Sequence, residues 1–217
     1  MAFLNKRSIS FELADEADLV RSAKGGDLDA FNSLILRHQS FLFGIALRIL
    51  NNEDTAADAV QDALLSAFRK FYTFRGGSLR SWLARIVVNA CYDELRRKHR
   101  QPIVPLDQLN QNSEEMEPGR WWVDSSAGPE ERCEASELQH TLERCLQSLT
   151  PAYRVALVLV DVEGLPYEEA ARVMRVPIGT VKSRLARARM QLRQHLKQFK
   201  EILPPPYQIN FPIAVGM

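Results

Sequence analysis

No stretch of the sequence alternates apolar and polar residues for long enough to read as a strand, which argues against a sheet-based fold. Cysteine is scarce. Cys91, Cys133 and Cys145 are odd in number and lack Cys-x-x-Cys spacing, so neither a disulfide framework nor a zinc site is expected. The histidines His38, His99, His140 and His195 fall at scattered positions without ligand spacing. Glycine-rich phosphate-cradling motifs and nucleophile elbows are missing as well. The expectation is a protein with no catalytic residues, no metal and no cofactor. No uninterrupted apolar run approaches the roughly 20 residues needed to cross a bilayer. The opening MAFLNKRSISFELADE has no signal-peptide core. A cytoplasmic chain without membrane insertion is therefore expected.

Charge is balanced overall, with a formal net charge of +1, but sharply sorted along the chain. Residues 1–100 hold 15 Lys/Arg against 12 Asp/Glu, and residues 101–140 hold 2 against 9. Between 180 and 200 there is no acid, although Lys182, Arg184, Arg187, Arg189, Arg193, Lys197 and Lys200 all fall there. Such sorting suits a chain that meets a polyanion with selected surfaces.

Apolar residues recur at helical spacing in two blocks. In the first, a short helix around Glu16–Lys24 precedes Gly25-Gly26, and a long one runs from Leu28 to Leu50 with Asp27 as its N-cap. A second long helix is expected from about Thr55 to Tyr72, with Ala56, Ala59, Val60, Ala63, Leu64, Ala67, Phe68 and Phe71 facing inward. After Gly76-Gly77 a third, capped by Ser78, carries Leu79, Trp82, Leu83, Ile86, Val87 and Ala90 and ends in the basic run Arg96–Arg100. Residues 101–132, rich in Pro, acids and small polar groups, form a linker. Its Trp121-Trp122 pair is either a local anchor or a partner contact. Helical pattern resumes at Cys133. Thr150-Pro151 caps and starts the apolar AYRVALVLVDV, LPYEEAARVM follows, and a last helix extends from about Ile178 to Ile202. The fold class is thus all-α. Residues 16–100 and 133–203 form two small helical domains joined by a flexible acidic linker, with an extension at 1–15 and an unassigned tail at 204–217.

Three surfaces stand out. Stepping 100° per residue from Val181 gathers Leu185, Ala188, Leu192, Leu196 and Phe199 into one buried stripe. Ser183, Ala186 and Arg187 lie opposite, flanked by Lys182, near the helix start where a recognition helix reaches base edges. Thr180 and the backbone N–H groups beside it suit a phosphate. The competing explanation, a solvated charged face, is weakened by the lack of balancing acids. On the second long helix Asp58, Gln61, Asp62, Leu65 and Arg69 point outward, an acidic and apolar mixture that fits a protein partner. On the third, Phe74, Arg75, Arg80, Trp82 and Asn89 mix aromatic and basic groups as a surface for unpaired bases does. Trp82 equally suits core packing.

The strings EDTAADAVQDALLSAFRKFYTFRG, SLRSWLARIVVNACYDELRRKHR and EGLPYEEAARVMRVPIGTVKSRLARAR resemble the extracytoplasmic-function (ECF) group of sigma-70-type RNA polymerase sigma factors. The resemblance covers about residues 16–100 and 135–197. It implies that Asp58, Gln61, Asp62 and Leu65 lie against the coiled-coil clamp of the polymerase β′ subunit. It implies that Phe74, Arg75, Arg80, Trp82, Asn89, Arg96 and Arg97 open and read the minus-ten element. Thr180, Lys182, Ser183, Arg184 and Arg187 would then serve the minus-thirty-five element. Core RNA polymerase (β′ clamp and β flap), promoter DNA and an anti-sigma factor are the implied partners, and stress-responsive transcription initiation is the implied role. The acidic linker matches the connector that threads the polymerase cleft. Arg175 stands where the family often has Gly, so the helix-turn-helix turn needs a non-Gly residue in left-handed backbone. The rivals are an autonomous helix-turn-helix regulator, which would bind its DNA tightly without polymerase, and an enzyme, for which no constellation exists.

Overall fold

The structure is a computed structural model that describes residues 15–100 and 140–196. The N-terminal extension, the linker with Trp121-Trp122, Cys133 and the residues beyond Leu196 lie outside the described residues. In the N-terminal half, α1 (Glu16–Lys24), α2 (Leu28–Leu50) and α3 (Glu53–Lys70) are followed by a 3-10 turn at Phe71–Thr73 and by α4 (Leu79–Arg100). In the C-terminal half, α5 spans 140–147 and α6 Pro151–Leu157. A π-helical turn continues α6 over Val158–Val162, and α7 (Tyr167–Met174) and α8 (Ile178–Leu196) complete the chain. No strand occurs among the described residues.

Local chemistry sets most of the boundaries. Asp27 accepts hydrogen bonds from the backbone N–H of Asp29 and Ala30 at the start of α2, and Asn52 accepts one from Thr55 at the start of α3. The Ser78 hydroxyl accepts from Ser81 N–H at 3.2 Å and so caps α4. Thr150, expected to cap α6, makes no side-chain cap bond; the Thr150 carbonyl accepts from Tyr153 and Arg154, and Pro151 begins the helix. α2 ends on Asn51 in left-handed backbone (φ 53°). α7 ends on Arg175 with φ 53° and ψ 45°, the conformation that the missing glycine demands. Its N–H and that of Val176 both donate to Ala171 O, which closes the helix end and holds an arginine where glycine fits better.

Helix α2 is long and apolar enough, by length and composition, to cross a membrane. In this fold its apolar side is the centre of the core: Leu34, Leu42, Ile45 and Ile49 are fully buried and α1, α3 and α4 pack around it. Phe68 departs from the expected inward stripe. It is 45% exposed and makes an edge contact with Phe31 of the core, at 5.2 Å between ring centroids.

The two halves are not separate bodies. Val155, Val158, Leu159, Leu165, Ala170, Val173 and Val181 of the C-terminal half join the core cluster of the N-terminal half. α4 packs against α7, and the π-helical turn against α2. A smaller cluster of Leu149, Leu157, Leu185 and Ala188 holds α6 to α8.

Candidate nucleic-acid and polymerase interfaces

The acidic face of α3 is where the periodicity puts it. Asp58, Gln61, Asp62 and Leu65 are all exposed, above the buried Ala56, Ala59, Val60, Ala63 and Ala67. Asp58, Gln61 and Asp62 border a groove of about 620 Å³ whose facing wall, from α4, contains Trp82, Asn89 and Arg97. Two surfaces that belong to separate helices in the sequence thus share one groove. Arg175 reaches the same groove from the helix-turn-helix turn.

The aromatic and basic set on α4 needs one correction. Phe74 is 4% exposed, stacked near Phe71 (6.1 Å between centroids) and tilted against Trp82 (5.6 Å), so it anchors the loop and is not open to a base. Trp82 fills both roles that the sequence left open. It meets Phe71 edge-on at 5.8 Å while staying half-exposed in the groove. Arg75 is exposed and Asn89 half-buried. Arg96 pairs with Asp93 at 2.8 Å and Arg97 with Glu94 at 2.8 Å; the hydrogen bond that Arg97 donates to Glu94 raises the Arg97 pKa further. Both arginines are exposed, so solvent screens these pairs and they remain available to phosphate.

Arg80 is engaged across the seam. It donates to the carbonyl of Glu163 at 3.0 Å, lies 3.7 Å from the Glu163 carboxylate, and covers the Phe41 ring at 4.0 Å. Glu163 also accepts from Arg48 at 3.1 Å. Burial pushes the Glu163 carboxyl above the usual carboxylate range, while Arg48 and Arg80 pull it back. Nearby, the Ser81 hydroxyl donates to the Glu169 carboxylate. Sequence reasoning missed Arg48 and Glu163 because their partnership spans 115 positions; the faint signal was an acid placed directly before the turn glycine Gly164.

On α8 the expected stripe is largely present: Val181, Leu185, Ala188 and Leu196 are buried, Leu192 half-buried, and Phe199 lies outside the described residues. Lys182, Ser183 and Arg187 are exposed on the other side. Arg184 is half-buried and its charge acts on Tyr92 of α4, whose pKa burial nonetheless raises. Thr180 is half-buried, and its N–H is already used by Pro177 O at 2.9 Å, so it is not a free donor for phosphate. The cluster of unbalanced cations is also less uniform in space than along the chain. Asp161 binds Arg189 with two hydrogen bonds, of 2.6 and 2.9 Å, and Arg193 is half-buried. Because the Arg189 side chain is 51% exposed, its pair is screened, and Arg189→Ala is expected to lower stability by less than about 1 kcal/mol in a denaturant titration.

The geometry defines an all-helical protein whose C-terminal half presents a helix-turn-helix and whose N-terminal half presents an acidic face beside an aromatic and basic one. Comparison with known proteins agrees. The family described as Sigma-70 region 2 matches residues 34–101 and that described as Sigma-70, region 4 matches residues 139–192. The chain is 34% identical over 188 residues to the RNA polymerase sigma-H factor of Pseudomonas aeruginosa, covering 85% of this chain and 96% of that one. It is 36% identical over 183 residues to the ECF RNA polymerase sigma-E factor of Escherichia coli K12, covering 83% and 93%. A solved structure of the sigma factor RpoE in complex with the anti-sigma factor NepR from Bartonella quintana is similar with a TM-score of 0.61 and 28% identity, over 78% of this chain and 98% of that one. The chain belongs to the extracytoplasmic-function group of sigma-70-type RNA polymerase sigma factors.

Proposed function

We propose that this sigma factor acts in the cytoplasm by binding alone, with three surfaces and no catalytic residue of its own. The exposed face Asp58, Gln61, Asp62 and Leu65 docks on the β′ clamp of core polymerase. Arg75, Arg80, Trp82, Asn89, Arg96 and Arg97 take the minus-ten strand as it melts. Lys182, Ser183, Arg184 and Arg187 read the minus-thirty-five element in the duplex, with the β flap holding the C-terminal half. Polymerase performs the chemistry and keeps the halves apart, while the acidic linker threads its cleft. An anti-sigma factor is the regulator this arrangement suits, as in the similar sigma factor from Bartonella quintana.

The observation that carries this proposal is the register of α8. Lys182, Ser183 and Arg187 stand exposed on the first turns, opposite the buried Val181, Leu185 and Ala188. A helix entering the major groove offers those turns to base edges. Arg187 makes only a long 3.4 Å contact with the Tyr153 hydroxyl, which costs little to give up. Arg187→Ala is expected to cost about 1–3 kcal/mol at the cognate upstream element and to relax preference at one or two base pairs. Promoter-library transcription by the reconstituted holoenzyme measures this. An unaltered upstream preference would mean that the register is wrong.

A further inference from the structure

The seam between the halves lies over part of the surface assigned above to single-stranded DNA. Arg80 projects from the first turn of α4, its guanidinium 4.0 Å over the centre of the Phe41 ring. Arg48 comes from the last turn of α2. The carboxylate of Glu163 enters between them, 3.1 Å from Arg48 and 3.7 Å from Arg80. Two features deliver it there. The π-helical turn ends with the Glu163 N–H donating to Val158 O, and Gly164, at φ +68°, then reverses the chain. On the opposite side Gly44 leaves room for the approach: a Cβ there would lie 2.7 Å from Arg48 Nη1 and 3.4 Å from Glu163 Oε1. Two guanidinium groups beside an aromatic face, converging on one anionic oxygen pair, form a site for a phosphate as much as for a carboxylate.

We propose that Glu163 is an internal competitor of promoter DNA: in the free protein its carboxylate fills an Arg48–Arg80 anion site that takes a backbone phosphate of the melted strand once the halves separate. This rests on the assignment of Arg80 to the minus-ten surface and adds Arg48 to it. Free protein is then closed and binds single strands poorly, because apparent affinity falls with the fraction of molecules whose site is open. Burial disfavours the ionised Glu163 carboxylate while Arg48 and Arg80 favour it.

The test uses full-length protein and a short single-stranded oligonucleotide with the preferred minus-ten sequence, read by fluorescence anisotropy, with the radius of gyration from small-angle scattering. Glu163→Lys faces two arginines with a third cation and should open the seam. Its affinity for the oligonucleotide should rise about tenfold if the open fraction rises from roughly a tenth to near unity. Glu168→Lys adds the same charge at an exposed site on α7 and should produce neither the gain nor the expansion. In the Glu163→Lys background, Arg48→Ala should lower affinity and flatten the salt dependence by about 0.7 units, the share of one phosphate contact on a single strand. Glu163→Ala, which adds no charge, should move affinity in the same direction as Glu163→Lys and serves if the reversal unfolds the chain. An unchanged radius and affinity in both Glu163 variants would overturn the closure. Expansion without gain in affinity, or no effect of Arg48→Ala, would overturn the phosphate site. Arg80→Ala in the holoenzyme reports separately on the minus-ten assignment: if it opens promoters as well as wild type, that assignment has failed and not the closure alone.

Discussion

Arg154→Leu is expected to destabilise the protein by about 3–5 kcal/mol. Arg154 is a cation in the middle of an apolar helix, 7% exposed. It donates to the carbonyls of Leu146, Gln147 and Leu149 at 2.7–3.0 Å and to that of Ile49 at 2.6 Å. Those of Leu146 and Gln147 belong to the end of α5 and that of Ile49 to the end of α2, where the last turns of a helix have no internal donors, and that of Leu149 lies in the turn after α5. One guanidinium thus terminates two helices, and its charge sits at their negative ends. Leucine fills the volume but leaves the carbonyls buried without donors. Arg154→Lys should recover little, since a single ammonium lacks the flat fork that spans them. Denaturant unfolding followed by circular dichroism measures both. Three of the four acceptors lie within the C-terminal half, so the loss persists when the halves separate. A cost under about 1 kcal/mol for Arg154→Leu would mean that water replaces the guanidinium and that this capping is not structural.

The second large effect concerns docking. Reversing Asp58 and Asp62 to Lys should weaken binding to core polymerase by roughly 3 kcal/mol, on the order of a hundredfold, because placing like charges against a complementary surface costs several kcal/mol. Both side chains are exposed on α3, and Arg97 lies within their field, so the fold should tolerate the change. The face stays accessible with the halves packed together, which lets core be engaged before the seam opens. A fluorescence titration of labelled protein with core polymerase gives the affinity, and the circular dichroism spectrum should match wild type. Unchanged affinity would remove the clamp assignment.

The helices themselves were legible. The bounds Glu16–Lys24 and Leu28–Leu50 follow from period and punctuation, since Gly25-Gly26, the capping Asp27 and the left-handed Asn51 each act within a few residues. The outward face of α3 and the stripe of α8 followed for the same reason: a helical wheel is a local property. What escaped depends on contacts across a hundred residues. Of the inward set expected on α4, Leu79, Leu83 and Val87 are buried and Trp82, Ile86 and Ala90 half-buried, while Ala84, Val88 and Cys91 are buried as well, because α4 is covered from a second side by α7. Phe68 and Phe74 exchanged roles because periodicity ranks residues by angle and does not see where a neighbouring helix ends. Arg154 carries the one readable signal of this contact: it is the only cation in AYRVALVLVDV, and a cation has to find acceptors if that helix is buried.

Recognition of two promoter elements by two halves that polymerase holds apart is open to a single measurement. Run-off transcription with purified core, on a promoter carrying both elements and on versions with either element scrambled, tests it directly. The expected result is no specific transcript from core alone, initiation when the chain is added, and loss of initiation when either element is scrambled. The chain without core should leave the same promoter unprotected in a footprint. Specific protection by the free chain, or initiation indifferent to both elements, would contradict it.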